Sequence, residues 1–247
     1  MPTPIVVDLS HHNTIPVSLK ETAAAGIVGV IHKATEGGSF VDSDVDARWY
    51  LAREAGLLWG LYHFMRPGNQ AEHAAHFVEV ATVYGDENTL LAADHEDARV
   101  SLDDLKQWLQ HVERLTGRRP VIYSGHVLKD QLGGCADPEI SGYLLWLAQY
   151  AATPTWPPGF DSCWLWPYSD KGSVPGISPP TDVNAGDAAD VVARWSGGSE
   201  PAPEPEPEDE AEVLVEWNTT KDGSVTMTMT PGVGVKVTMV VNGQVVE

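Results

Sequence analysis

The stretch Leu90-Leu91-Ala92-Ala93-Asp94-His95-Glu96 reads as a short apolar strand that ends in two acids. Side chains alternate along a strand, so Asp94 and Glu96 share one face and His95 takes the other. Like-charge repulsion raises the pKa of each carboxyl, and partial burial raises both further. One protonated and one ionised acid is the state that acid-catalysed glycoside hydrolysis needs near neutral pH. A lone Asp-x-Glu is a common tripeptide and more often marks a strand end whose acids cap the next loop or pair with Arg99. The rest of the chain must decide.

Working outward, five apolar runs are each followed by a helix-like segment. Ile5 to Leu9 is followed by Ser18-x-x-Glu21, a capping-box pattern for a helix ending before Gly26. Ile27 to Ala34 precedes a helix over Asp44 to Ala55. Leu57 to Phe64 precedes one from about Asn69 to Tyr84. After Leu90 to Ala93, a helix starting at Ser101 keeps Leu102, Leu105, Trp108, Leu109, Val112 and Leu115 on one face and stops at Gly117. Pro120 to Tyr123 leads into a shorter helix from about His126 to Leu132. Three further strands follow, Tyr143 to Tyr150, Cys163 to Tyr168 and Thr181 to Asn184, without convincing helices. Repeated strand-helix units imply a parallel α/β sheet with right-handed crossovers, and eight strands suggest closure into an irregular (β/α) barrel over residues 1–196. An open doubly wound sheet would want a Gly-rich phosphate turn after the first strand, and Asp8-Leu9-Ser10-His11-His12-Asn13 is not one.

Residues 197–212 alternate Pro with Glu and hold seven acids and no base, which predicts an extended linker. Residues 213–247 read as a small all-β module of four short strands, with hairpin signals at Asp222-Gly223 and Asn242-Gly243. So few residues bury little surface, and the valines of each strand need cover. Wall binding, self-association through 213–247 and packing on the barrel are all open.

The net charge of -20 over 247 residues argues against nucleic acid and anionic membranes as partners. No apolar run approaches a membrane span, so no membrane insertion is expected. The start, Met1 to Asp8, lacks a basic region and a long apolar core, which predicts no secretory signal. Cys135 and Cys163 are too few for a disulfide framework and are expected as two free, buried thiols from a reducing compartment.

In a parallel barrel the residues just past each strand's C-terminal end converge on one face, where catalytic groups of such folds sit. Those positions carry Asp8 and Ser10, Lys33 and Glu36, Tyr62 and His63, Asp94 and Glu96, Tyr123, Trp146 and Gln149, Trp166 and Tyr168, and Asp182 and Asn184. Acids among aromatics suit a sugar-cleaving groove, where carboxylates move protons and flat rings stack on pyranose faces. Five motifs in this order resemble family 25 of the glycoside hydrolases, the N-acetylmuramidase lysozymes of bacteria and phages. They are Val7-Asp8-Leu9-Ser10-His11-His12, Lys33-Ala34-Thr35-Glu36-Gly37, Tyr62-His63-Phe64, Asp94-x-Glu96 and Asp182-x-Asn184, within residues 5 to 195. Asn13 stands near where that family often has Gln, and Trp166-Pro167-Tyr168 replaces a usual Trp-Gln-Tyr.

The resemblance implies that Glu96 is the general acid at the β-1,4 bond after N-acetylmuramic acid. Asp94 would assist, and Asp8 and Asp182 would complete an acidic floor. It implies substrate contacts from Lys33, Glu36, Tyr62, His63, Tyr123, Trp146, Trp166, Tyr168 and Asn184, with peptidoglycan as the partner and no cofactor or metal. Wall cleavage without a secretory signal suggests a phage endolysin made in the host cytoplasm and released to the wall through a holin-type pore, with an exported bacterial enzyme or a tail-associated lysin as the alternatives. Two other readings remain: a catalytically silent glycan-binding or virion structural protein on the same barrel, and a zinc-dependent peptidoglycan amidase. The last would use His73-x-x-His76 with His63, a pair that sits on an Ala-rich helix expected on the barrel's outside.

Overall fold

The computed structural model describes residues 3–16, 18–150 and 153–197, and four short strands between 218 and 246. The chain divides into two compact units, Met1–Ser199 and Glu200–Glu247. In the first unit the elements run β1 (Val6–Leu9), α1 (Lys20–Ala24), β2 (Gly29–Glu36), β3 (Phe40–Val41), α2 (Val45–Glu54), β4 (Leu58–Phe64), α3 (Gln70–Val83), β5 (Leu90–Asp94), α4 (Leu102–Thr116), β6 (Val121–Ser124), α5 (His126–Leu132), β7 (Leu145–Leu147), β8 (Trp166–Gly172), β9 (Thr181–Ala185) and α6 (Ala188–Ala193).

The strands form one sheet in the order β7-β6-β5-β4-β2-β1-β9-β8, with β3 hairpinned onto β2. Neighbours from β1 to β7 are parallel, as strand-helix repeats require. The circle closes where the chain enters β8. Leu147 N–H donates to the Leu165 carbonyl at 2.8 Å, and Trp164 N–H donates to the Leu145 carbonyl at 2.8 Å. The irregular barrel expected from the repeats is therefore present, with one correction. β9 runs antiparallel to both β1 and β8, so it is the start of β9 and not its end that shares a rim with the C-terminal ends of the parallel strands.

Alternation sorts the side chains into two cores. Inside the barrel lie Val6, Ile31, Leu90, Ala92, Val121, Trp146 and Leu165. Gly60 belongs to this layer, where a Cβ would come within 3.0 Å of Leu90 and 3.1 Å of Ile31. Trp195, just past α6, packs over Gly29 and donates its Nε1–H to the Trp59 carbonyl at 2.8 Å, which fills the end opposite the rim. The outer core joins Ala34, Leu61, Ala93 and Ile122 to helix residues such as Phe77, Leu105, Trp108 and Leu109.

The helix ends follow their sequence signals in α3 and α4. Asn69 accepts from the Ala71 and Glu72 amides, Ser101 and Asp104 form a reciprocal capping box, and Gly117 terminates α4 in the left-handed region at φ 68°. The box expected from Ser18 and Glu21 does not form: Leu19 occupies the cap, and Ser18 Oγ accepts only from the Lys20 amide. The helix-poor final third does contain α6, capped by Asp187. Cys135 and Cys163 are free, but Cys135 is exposed and Cys163 half-buried, so neither is the fully buried thiol expected. Among the described residues no helix is long and apolar enough to cross a membrane.

In the second unit Asn218–Thr219 pairs with Val225–Thr226, and Met239–Val241 pairs with Gln244–Val246. The second hairpin brackets Asn242-Gly243, as its turn signal predicts. The linker proposed for 197–212, apart from Gly197, the Asp222-Gly223 turn and most of 213–247 lie outside the described residues.

Candidate active site

The interior face of each strand changes character along its length. It is apolar at the bottom and polar at the rim. Val6 is followed on that face by Asp8, Ile31 by Lys33, Gly60 by Tyr62 and Phe64, Ala92 by Asp94, and Val121 by Tyr123. Asp8 lies directly across from Asp182 in the antiparallel register, and Asp94 across from Tyr123 and Phe64. The result is a cleft of about 250 Å³ lined by Asp8, Ser10, His12, Lys33, Tyr62, Phe64, Asp94, Glu96, Tyr123, Trp146, Tyr150 and Asp182.

The four acids differ in depth. Asp94 is 5% exposed, Asp8 and Asp182 are half-buried, and Glu96, two residues past the end of β5, stands exposed at the mouth. Burial raises the pKa of Asp94 well above the carboxylate norm, and the charge of Glu96 adds to it; Lys33 acts the other way. Asp8 is pushed up to about 8 by burial and by facing Asp182, although the amide of Asn184 donates to its Oδ2 at 2.7 Å. Glu96 and Asp182 are also raised, chiefly by desolvation; His126 tempers the first and a 2.9 Å bond from the Tyr150 hydroxyl the second. Near neutral pH the cluster therefore retains protons that four separate carboxyls would have lost.

Trp146 fixes this arrangement from below. Its indole N–H donates to Asn184 Oδ1 at 2.7 Å, which orients the Asn184 amide toward Asp8. Its ring lies 4.4 Å from that of Tyr123. Burial among the acids raises both Tyr62 and Tyr123 far above the usual phenol value, so both are neutral hydroxyls.

A bulge in β2 explains why Lys33 and Glu36 sit together at the rim. The register against β4 slips between Lys33 and Thr35. Ala34 and Thr35 consequently both face outward, and Glu36 returns to the mouth. There Glu36 accepts from Lys33 and from Arg66, and Arg66 also binds Asp97 at 3.0 Å. Arg99, the cation that offered the plain explanation of the two strand-end acids, pairs with Asp97 and leaves Asp94 and Glu96 alone.

Of the residues suggested by sequence, the cleft gathers Asp8, Asp94, Glu96, Asp182, Lys33, Tyr62, Tyr123 and Trp146. Asn184 stands one layer behind and Glu36 on the rim. His63 is a correction: alternation places it between Tyr62 and Phe64 on the outer face, fully buried. It stacks 5.4 Å from Trp108 and shares a 2.7 Å bond with the Thr35 hydroxyl. Burial lowers its pKa well below the histidine norm. Trp166 donates to the Gln149 carbonyl at 2.6 Å and packs with Tyr168 against the outer core; neither lines the cleft. Tyr150 does line it and was not anticipated. It follows Gln149, so extending the strand-end rule by one residue finds it.

No group of three potential metal ligands exists among the described residues; His73 is buried beside His63, while His76 is turned to the Phe40 carbonyl at 3.1 Å.

Comparison with known proteins agrees with this geometry. The family described as "Glycosyl hydrolases family 25" matches residues 7–177. The uncharacterized protein YegX of Escherichia coli K12 is 36% identical over 160 residues, which are 62% of this chain and 56% of YegX. This chain thus spans a little over half the length of that relative. Lysozyme M1 of Streptomyces globisporus is 26% identical over 205 residues, covering 76% of this chain and 69% of the lysozyme. Among solved structures, the bacterial lysozyme of Streptomyces coelicolor aligns with TM-score 0.66 and 25% identity over 77% of this chain and 95% of its own. A muramidase from Acremonium alcalophilum aligns with TM-score 0.65 and 26% identity, covering 78% and 98%. With the strand-end acids in place on a closed barrel, the chain belongs to family 25 of the glycosyl hydrolases.

Proposed function

We propose that this chain is a muramidase that hydrolyses the β-1,4 bond between N-acetylmuramic acid and N-acetylglucosamine in bacterial peptidoglycan. The observation that carries this reading is the gathering of four carboxyls with raised pKa values in one aromatic-lined cleft. Glu96 is the general acid. Its place at the open mouth reaches the bridging oxygen of a glycan lying across the rim, and desolvation lets it hold its proton to higher pH than an ordinary glutamate. Asp94, deeper and drier, assists at the sugar's acetamido group or anomeric carbon. Asp8 and Asp182 form the floor that holds the shared protons.

Lys33, Tyr62 and Tyr123 supply donors and ring faces to the sugars, Trp146 backs Tyr123 and Asn184 from below, and Asn184 and Glu36 orient those groups. Trp166 and Tyr168 would serve only a glycan that extends beyond the cleft. The protein's setting is that of an endolysin acting on the wall after release from the cytoplasm, and the second unit is a wall-binding or self-associating module.

Incubation with purified peptidoglycan should lower turbidity and create reducing ends without new free amines. New amines without reducing ends would establish an amidase, and neither product would leave a silent glycan-binding protein. Phage genes flanking the coding locus would support the endolysin setting, and their absence would count against it. A chain ending near Ser196 should lose cell-wall pull-down if the second unit binds wall, or lose an oligomer if it self-associates.

A further inference from the structure

One buried acid outside the cleft is unexplained by the chemistry above. Asp42 follows β3, is 1% exposed, and spends both carboxylate oxygens on other segments. Its Oδ2 accepts from the His11 amide at 3.0 Å and bonds His11 Nδ1 at 2.6 Å. Its Oδ1 lies 3.2 Å from Nε2 of His32, which is wholly buried in β2, and accepts from the Asp44 amide at 3.0 Å. An ionised carboxylate can only accept, so it selects the ring tautomers that carry a proton on His11 Nδ1 and His32 Nε2. His11 belongs to the turn that leaves β1. In that turn the Ser10 amide donates to Asn13 Oδ1 at 2.9 Å, and the His12 amide donates to Ser10 Oγ at 3.3 Å. Ser10 and His12 face the cleft, and the His11 ring lies 4.0 Å from that of His12.

We propose that Asp42 is a positioning residue for substrate, clamping His11 so that Ser10 and His12 form one wall of the cleft. It acts through the turn and not through the reacting acids. Asp8 is held separately, between β2 and β9 in the ladder and by the amide of Asn184. Loss of the clamp therefore displaces the wall while the carboxyl cluster stays in place. The proposal rests on the muramidase reading for its kinetic consequence, but the clamp itself can be observed without turnover.

The test uses the full chain carrying Asp42→Asn and, because that variant perturbs a buried acid, a second variant His11→Phe that leaves the Asp42–His32 contact intact. The first readout is NMR of the histidine ring nitrogens and backbone amides. In the wild type His11 should show the tautomer protonated at Nδ1. In Asp42→Asn that signature should be lost and the Ser10 and His12 amides should shift, with those of Asp94 and Tyr123 unmoved. The second readout is kinetics on a soluble peptidoglycan fragment of alternating sugars. Both variants should raise KM by about 10-fold and leave kcat within about 3-fold. Unchanged Ser10 and His12 resonances in both variants would overturn the clamp, whatever the activity. A fall in kcat with unchanged KM would also overturn it, by showing an effect on the acids. A wild type that binds the fragment and yields no reducing ends would refute the muramidase reading alone, and the shift in fragment Kd would then replace KM as the measure.

Discussion

Asp94 and Asp97 stand three residues apart at the end of β5, and their carboxyls are driven in opposite directions. Asp94 faces the cleft, where burial and other acids raise its pKa. Asp97 faces the collar, where bonds from Arg99 and Arg66 hold it far below the usual range. The same division runs around the rim. Glu36 and Asp42 belong to the collar: burial alone would raise both, but Lys33 and Arg66 around the first, and His32 and His11 around the second, more than offset it. Asp8, Glu96 and Asp182 belong to the cleft: Asn184 and Tyr150 give the first and the third neutral donors, and His126 offsets only part of the rise at Glu96. The difference teaches that the protein is not short of cations near its acids. Apart from Lys33, which lines the cleft and offsets part of the rise at Asp94, its lysine and arginine partners sit outside, where they fix the walls, and the interior acids stay under-compensated so that protons remain bound there.

The largest test of that division removes the proton from the mouth. Glu96→Gln keeps the shape and deletes the acid, and kcat on peptidoglycan should fall by at least about 10²-fold with the thermal transition preserved. Asp94→Asn should lose activity on a similar scale. Activity near wild type in Glu96→Gln would mean that the mouth acid is not the donor and that the cleft–collar distinction has no catalytic meaning.

Asp8 sharpens the comparison through stability. Its pKa rises from 3.8 in the unfolded chain to about 8 in the fold, so the fold binds this proton more tightly. The associated stabilisation is complete below about pH 4 and is lost as pH rises through about 8. Asn cannot ionise and escapes that loss. Asp8→Asn should therefore match the wild type in acid, become the more stable protein by about 1–3 kcal/mol above pH 8, and be impaired in turnover. Urea unfolding at pH 4 and pH 9 checks the sign. An equal stability difference at both values would place the ionisation of Asp8 at an ordinary pKa.

Asp42 should show the reverse. Its folded pKa is depressed, so its contribution is present above the unfolded value near 3.8 and is lost as pH falls from there. Asp42→Asn should cost about 1–3 kcal/mol at pH 7, with the gap closing toward strongly acidic pH. A gap that widened in acid would assign Asp42 to the cleft class.

Periodicity located the strands and the cleft because each interior face pairs an apolar base with a polar tip, as in Leu90-x-Ala92-x-Asp94-x-Glu96. What periodicity does not carry is direction or local slippage. Thr181 to Asn184 reads the same in either sense, and only its pairing with both β1 and β8 shows that Asp182 enters the rim from the start of its strand. The bulge after Lys33 breaks the alternation that would otherwise put Lys33 and Glu36 on opposite faces, a slip that the spacing alone does not show. The collar was invisible for another reason. Asp97 pairs with nearby Arg99, but Arg66 reaches Glu36 and Asp97 across 30 and 31 positions and Asp42 reaches His11 across 31, which no local pattern encodes.

The smallest expected effect concerns a residue that belongs to neither class. His63 lies between two cleft residues in sequence, and a reading by motif alone counts it as a substrate contact. Alternation turns it into the outer core, where its ring stacks on Trp108 and its one polar contact is the Thr35 hydroxyl. His63→Phe keeps the flat ring and removes that contact. The variant should lose about 1 kcal/mol of stability, the scale of one buried hydrogen bond, with kcat/KM on peptidoglycan within about 2-fold of the wild type. Thermal unfolding and initial rates measured on the same preparation separate the two effects. A loss of KM or kcat beyond the stability change would return His63 to the cleft and require β4 to present consecutive residues to the same face.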